Sequence, residues 1–329
     1  MRNGLILDVK QLQVYYSAYG SMVRAVDRID FTIEQRRVLG IVGESGSGKS
    51  TVAKAIMRAL PSNAKIKGGE VLFDGANLLS LNDNEFKKQI AWRRISMIPQ
   101  AAMNSLDPLF RVRDQIHETL KAHSFDRDIK SHVTRLLGYV DLQHSVLDRY
   151  PHELSGGMKQ RLMILMALLF MPRLMIADEP TTALDVLTQQ HILKKLREIR
   201  HELSLSMILI SHDLPVVVEN CEEIAIMYAG EIVEHANVQE TLKNPRHPYT
   251  VGLLNSHPDV TEGKEKATYI PGAPPSLSTE MKGCKFAPRC PLATEKCLDK
   301  APNLLEISKD HLAACYHFDK VRNDLWLKN

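Results

Sequence analysis

A chain of 329 residues, 44% hydrophobic and 25% charged, is long enough for one large core with an appended piece, and it lacks the compositional bias of fibrous or disordered proteins. Its 42 Lys and Arg against 39 Asp and Glu leave a net charge of only +3, whereas nucleic acid as a partner would demand a basic stripe, so no such partner is expected. Met1 to Lys10 carries no apolar stretch followed by a small-residue cleavage site, and the longest wholly apolar run, Leu162 to Met171, is about half of the roughly 20 residues that span a bilayer. The expected place is the cytosol, with any membrane served from its side.

Short β-rich segments open the chain. Leu5 to Val9, Leu12 to Tyr16 and Val26 to Ile33 predict strands of a small mixed or antiparallel sheet. Val38 to Val42 is an unbroken apolar run that meets a Gly-rich turn, after which Lys49 to Leu60 reads as a helix stopped at Pro61. From about Asn84 to Leu169 the pattern is mainly helical, broken at Pro99, Pro108 and Pro151, and predicts a helical subdomain. Leu174 to Ala177, Met207 to Ile210 and Ile224 to Tyr228 predict core strands joined by helices, hence a mostly parallel sheet covered on both faces. Ala229-Gly230 then turns into Glu231 to Glu234, a predicted hairpin. Beyond about Ser256, prolines from Pro258 to Pro302 crowd a stretch with little periodicity. Four of the five cysteines, Cys284, Cys290, Cys297 and Cys315, sit within or just after it, and in a cytosolic chain such a cluster more often binds metal than forms disulfides.

Gly43-Glu44-Ser45-Gly46-Ser47-Gly48-Lys49-Ser50 matches the eight-residue P-loop pattern, and it lies between a predicted strand and a predicted helix. The glycines let successive N–H groups turn toward phosphate oxygens, and the helix N-terminus adds its dipole. Lys49 is expected to neutralise the β- and γ-phosphates of ATP, and Ser50 to ligate Mg²⁺. Arg173 to Glu179 is an apolar strand ending in two acids. Asp178 is expected to hold Mg²⁺ through water, and Glu179 to orient or deprotonate the attacking water.

With Leu154-Ser155-Gly156-Gly157-Met158 placed before this acid pair, the chain resembles the ATP-binding cassette family. The usual fifth residue is Gln, and Met158 departs from it. Ser155, Gly156 and Gly157 open a helix whose N–H groups form an anion site, which in the family meets the γ-phosphate held by a partner subunit. The resemblance further implies that Gln100 touches Mg²⁺ or the attacking water and couples to a membrane subunit. It implies that Asp185, in Ala183-Leu184-Asp185, crosses the dimer seam, that His212 contacts the γ-phosphate, and that Thr51 completes the P-loop contacts. Tyr16 stands where the family stacks an aromatic ring on adenine, with Tyr15 and Tyr19 as close competitors.

The resemblance narrows to the oligopeptide/dipeptide importer ATPases through Met103 to Pro108, Asn244 to Thr250 and, above all, Gly283-Cys284-Lys285-Phe286-Ala287-Pro288-Arg289-Cys290-Pro291; a dipeptide-type subunit is the closest match. Pro99-Gln100-Ala101-Ala102 departs from the Phe-Gln-Asp-Pro of many members. The implied fold is α/β: a P-loop ABC ATPase with a mostly parallel core sheet, an N-terminal antiparallel β subdomain, an α-helical subdomain over about 84–170, and a small, irregular, metal-stapled C-terminal domain. The nucleotide-binding domain is expected over 1–255 and the extension over 256–329. On Cys284, Cys290, Cys297 and Cys315 the expectation is a 4Fe-4S cluster, with Zn²⁺ as the alternative and His311 or His317 as substitute ligands. The resemblance implies a second ABC ATPase subunit (a different paralogous chain or a second copy), two transmembrane permeases, an extracytoplasmic peptide-binding protein, and a peripheral position on the cytoplasmic face of the membrane. The implied cargo is di- or oligopeptides, with nickel, glutathione or oligosaccharides as alternatives. A non-transport ABC ATPase is the rival from another class.

Overall fold

The computed structural model describes residues 4–18, 20–257 and 269–326; Tyr19 and Pro258 lie outside them. In chain order the elements are β1 (Leu5–Ala18), β2 (Ser21–Glu34), β3 (Val38–Val42), α1 (Lys49–Ile56), β4 (Ala64–Phe73), β5 (Ala76–Asn77) and β6 (Ile95–Ile98). Then follow α2 (Val112–Ala122), α3 (Ile129–Tyr139), α4 (Gly156–Leu168), β7 (Leu174–Asp178), α5 (Val186–Leu203) and β8 (Ser206–Ser211). The chain continues with α6 (Leu214–Asn220), β9 (Glu223–Tyr228), β10 (Glu231–Asn237), α7 (Val238–Lys243), α8 (Pro248–Asn255), α9 (Glu295–Asp299), β11 (Leu305–Ser308) and β12 (His311–Ala313). Two units result: residues 1–79 with 209–329, and residues 80–208. Among the described residues no helix is long and apolar enough to cross a membrane.

In the first unit, β2, β1, β4 and β5 form an antiparallel sheet in that order. The two strands expected over Leu5–Val9 and Leu12–Tyr16 are one strand. Its pairing slips between Val9 and Leu12, where Gln11 takes φ 47°, so the buried positions run Leu7, Val9, then Leu12, Val14. A bulge of this kind shifts the two-residue alternation by one, which is why the sequence pattern looks like two segments. The second sheet of this unit is mixed: β3 runs parallel to β9, while β9, β10, β12 and β11 pair antiparallel in turn. All five residues of β3 are buried, as an interior parallel strand requires.

The segment after 268 is built into that sheet. β12 pairs with β10 through Glu234 with Ala313 and His235 with Leu312. Phe286, Val321 and Trp326 lie in one core with Val42, Ile226, Tyr228, Tyr249 and Leu254, and the Trp326 indole N–H donates to the Pro248 carbonyl at 2.9 Å. Glu234, fully buried, accepts from the N–H of Arg246 and of His247 at 2.8 Å each and pairs with His311 Nε2 at 2.8 Å.

The metal expectation for this segment is overturned. Among the described residues no group of three or more His, Cys, Asp or Glu side chains could hold a metal ion, so neither a 4Fe-4S cluster nor Zn²⁺ is assigned to Cys284, Cys290, Cys297 and Cys315. The cysteines are free thiols. Desolvation pushes the thiol of Cys284 up to about 11 and those of Cys290 and Cys315 up to about 12. His311 faces Glu234 instead. The stretch that seemed to need a metal staple is held by aromatic burial and by ion pairs.

In the second unit, β6 runs parallel to β7, pairing Ile95 with Leu174 through Ile98 with Ala177. This strand lies inside the stretch expected to be mainly helical: four residues are too few for periodicity to tell strand from helix. Elsewhere in that stretch α2, α3 and α4 are joined by turns and irregular segments, and α4 is apolar nearly all round, burying every residue from Leu162 to Leu168.

Candidate functional site

The expected site residues divide between the units: Tyr16, Gly43 to Thr51 and His212 fall in the first, and Gln100, Ser155 to Gly157, Asp178, Glu179 and Asp185 in the second.

The first group is organised by the loop between β3 and α1. A Cβ on Gly43 would lie 2.0 Å from the Met227 carbonyl oxygen, so only glycine lets the chain pass β9 here. Gly48 takes φ +106°, and a Cβ there would lie 2.1 Å from the Ala25 oxygen. Between them the loop curls around Lys49, which is 6% exposed. Its Nζ donates to the carbonyls of Gly43 at 2.7 Å and Glu44 at 2.9 Å and reaches Ser47 Oγ at 3.5 Å. α1 starts from Gly48 with no side-chain cap and no acid in its first turn. A glycine-lined curl, a central ammonium and a helix start without a side-chain cap are together chemically suited to a phosphate group.

Tyr15 and Tyr16 are adjacent in β1 and so face opposite ways. The Tyr15 hydroxyl donates to Asp27 at 3.1 Å, whereas the Tyr16 hydroxyl lies 3.2 Å from Thr51 Oγ1 in the first turn of α1. Of the two, Tyr16 is the ring on the side of the phosphate loop. His212 is exposed just past the end of β8, where the Asp213 N–H donates to Ser211 Oγ at 3.0 Å.

The second group surrounds the end of β7. Asp178 is fully buried and Glu179 follows with φ 50°, a left-handed backbone uncommon outside glycine. Two donors converge on Glu179 Oε2: the Thr182 hydroxyl at 2.9 Å and Gln100 Nε2 at 3.5 Å. Thus the structure brings Gln100 and Glu179 together although 79 residues separate them. Ser155 caps α4, its Oγ accepting from the Met158 N–H at 3.3 Å. Cβ positions on Gly156 and Gly157 would lie 3.4 Å from Leu184 and 2.9 Å from Thr188, so the start of α4 packs on the Ala183-Leu184-Asp185 segment. Asp185 itself caps α5: Oδ1 accepts from the Thr188 N–H at 3.0 Å and Oδ2 from the Thr188 hydroxyl at 2.7 Å. Those two hydrogen bonds hold its carboxyl below the usual range.

Sequence reasoning missed Thr182, Tyr249 and Arg289. The Glu44 N–H donates to the Tyr249 hydroxyl at 2.9 Å, and the Arg289 guanidinium pairs with the Glu44 carboxylate at 3.0 Å. Both residues sit in stretches already noticed, Asn244 to Thr250 and Gly283 to Pro291, but the second was read for its cysteines.

Comparison with known proteins places this geometry. The model of the family described as ABC transporter matches residues 26–182, and that described as oligopeptide/dipeptide transporter, C-terminal region, matches residues 233–297. The chain is 43% identical to a protein of Sinorhizobium fredii named "Probable peptide ABC transporter ATP-binding protein", over 97% of each chain. It is 39% identical to the dipeptide transport ATP-binding protein DppD of Caldanaerobacter subterraneus (97% of this chain, 98% of the relative) and 43% identical to the oligopeptide transport ATP-binding protein OppD of Escherichia coli (94% and 93%). Among solved structures it resembles the dimeric ATP-binding cassette MJ0796 in a post-hydrolysis state bound to ADP and phosphate. That match has a TM-score of 0.63 and 25% identity, covering 70% of this chain and 98% of the other. The chain belongs to the ABC transporter ATPases, in the group that carries the oligopeptide/dipeptide transporter C-terminal region.

Proposed function

We propose that this chain is the ATP-hydrolysing subunit that powers import of di- or oligopeptides, working from the cytoplasmic face of a membrane as half of a two-ATPase assembly with two permeases and an extracytoplasmic binding protein. The observation that carries the reading is the β3–α1 loop with Lys49 at its centre. The names of the relatives support the peptide cargo. Residues 1–255 act as the nucleotide-binding domain and 256–329 as its extension. The second ATPase is a paralogous chain or another copy.

In this reading the N–H groups of Gly43 to Thr51 and the Lys49 ammonium bind the phosphates, and Tyr16 stacks on adenine. Ser50, Asp178 and Gln100 are the residues that would hold Mg²⁺, which when bound offsets the charge on the transferred phosphoryl group. Glu179 takes the proton from the attacking water, with Thr182 and Gln100 fixing its carboxylate, and His212 orients the γ-phosphate. Ser155, Gly156 and Gly157 serve the nucleotide bound by the partner, and Asp185 faces the seam. Glu179→Gln tests the assignment of the base: the variant is expected to bind ATP and lose turnover, and near-normal phosphate release would refute it. For the cargo, the chain reconstituted with its permeases should release phosphate faster when a peptide-loaded binding protein is added. Stimulation by a sugar-loaded one alone would overturn the peptide reading.

A further inference from the structure

Three parts of Glu44, the second residue of the phosphate loop, are held at once. Its carbonyl accepts from Lys49 Nζ at 2.9 Å, its N–H donates to the Tyr249 hydroxyl at 2.9 Å, and its carboxylate pairs with Arg289 at 3.0 Å. Arg289 lies 245 residues further along the chain, and its side chain is 6% exposed. Each nitrogen of its fork is engaged: Nη1 also reaches the Tyr228 hydroxyl at 3.3 Å, Nε donates to the Pro271 carbonyl at 2.9 Å and Nη2 to the Ile270 carbonyl at 3.2 Å. The guanidinium lies 5.7 Å from the centre of the Tyr228 ring and 5.9 Å from that of Phe286. A buried, desolvated cation with one carboxylate partner fixes the position of that carboxylate far better than a surface pair would.

The same short motif reaches the loop by a second route. Lys285 Nζ donates to the Ala229 carbonyl at 3.0 Å and pairs with Glu231 at 3.0 Å, gripping the β9–β10 turn. The next residue in that turn, Gly230, donates its N–H to the Ser47 carbonyl of the phosphate loop at 2.9 Å. Lys285 and Arg289 thus constrain the loop at Ser47 and at Glu44, the two residues between which it curls.

We propose that Arg289 is a positioning residue for nucleotide binding: by fixing Glu44 it holds the backbone that receives the phosphates, so the C-terminal extension sets the affinity for ATP. The proposal rests on reading the β3–α1 loop as the ATP site. It is tested on the full chain by equilibrium binding of a fluorescent ATP analogue, phosphate release over a range of ATP concentrations, and thermal melting. The variants are Arg289→Met, Arg289→Lys, Glu44→Gln and the double Glu44→Gln/Arg289→Met. Loss of one charge-assisted contact to the loop is expected to raise Kd and KM about tenfold in Arg289→Met, with kcat at saturating ATP within about twofold, and to raise Kd about tenfold in Glu44→Gln. Arg289→Lys, which keeps the charge, should recover part of the affinity. The double variant should bind no more weakly than the weaker single one, because both substitutions break one linkage. An unchanged Kd in Arg289→Met, even with a lowered melting temperature, would overturn the proposal, as would effects that multiply in the double variant. Should Arg289→Met fail to fold, Arg289→Lys and Glu44→Gln carry the same comparison. Failure of the unaltered chain to bind the analogue would instead strike the nucleotide reading itself.

Discussion

Helices α1 and α5 begin in contrasting ways. α1 starts from a glycine, with no side-chain acceptor at its cap and no acid in its first turn, while α5 starts from Asp185, whose two carboxylate oxygens are taken up by the N–H and the hydroxyl of Thr188. α4 lies between these extremes: Ser155 caps it with a neutral hydroxyl at 3.3 Å. A helix start carries partial positive charge, and a negative side chain at the cap satisfies it from within the chain. The three starts therefore form a series, from one with no side-chain cap, through one neutral at its cap, to one closed by its own carboxylate. Cap chemistry thus distinguishes the three helix starts.

Four substitutions break or sharpen this series. The largest effect is expected from Glu179→Gln, which leaves all three helix starts intact: turnover should fall by about 10²- to 10⁴-fold while ATP is still bound, as phosphate release and nucleotide binding measured together would show. Lys49→Met removes the ammonium beside the start of α1, and equilibrium binding should show ATP held about 10- to 100-fold more weakly. Ser155→Ala deletes the neutral cap and should cost about 1 kcal/mol of stability, with no dependence on pH between about 4 and 8, read by chemical denaturation. Asp185→Asn gives the smallest effect and the one with a pH signature. Because hydrogen bonds lower its folded-state pKa, the charged cap stabilises above the ordinary carboxylate range, and that contribution fades as pH falls through the lowered value. Melting curves of the unaltered chain and the Asn variant should therefore differ at neutral pH and converge in acid.

Where elements are contiguous in the chain, the order expected from sequence and the structure agree. β3, the phosphate loop and α1 are contiguous, and the carbonyls that hold Lys49 lie five and six residues away. Ser155 at the start of α4 and the acid pair at the end of β7 are legible for the same reason. Long-range pairing was harder to see. The convergence of Gln100 and Thr182 on Glu179 depends on β6 lying beside β7, and β6 is a four-residue strand inside a stretch with helical character. The extension misled most: its cysteines have the residue type of ligands, but among the described residues they form no metal-holding group, and the ordering work falls to Phe286, Arg289 and Trp326. Residue type suggested a metal; whether such side chains gather into a ligand group is set by packing that spacing does not reveal.

The pairing of β12 with β10 bears on how this protein can be handled. Trimming the chain at the end of the nucleotide-binding region would remove His311 from the buried Glu234 carboxylate and uncover the hydrogen-bonding groups of Glu234 and His235. An uncovered strand edge invites pairing between molecules, so such a truncation is expected to self-associate even with its catalytic motifs intact.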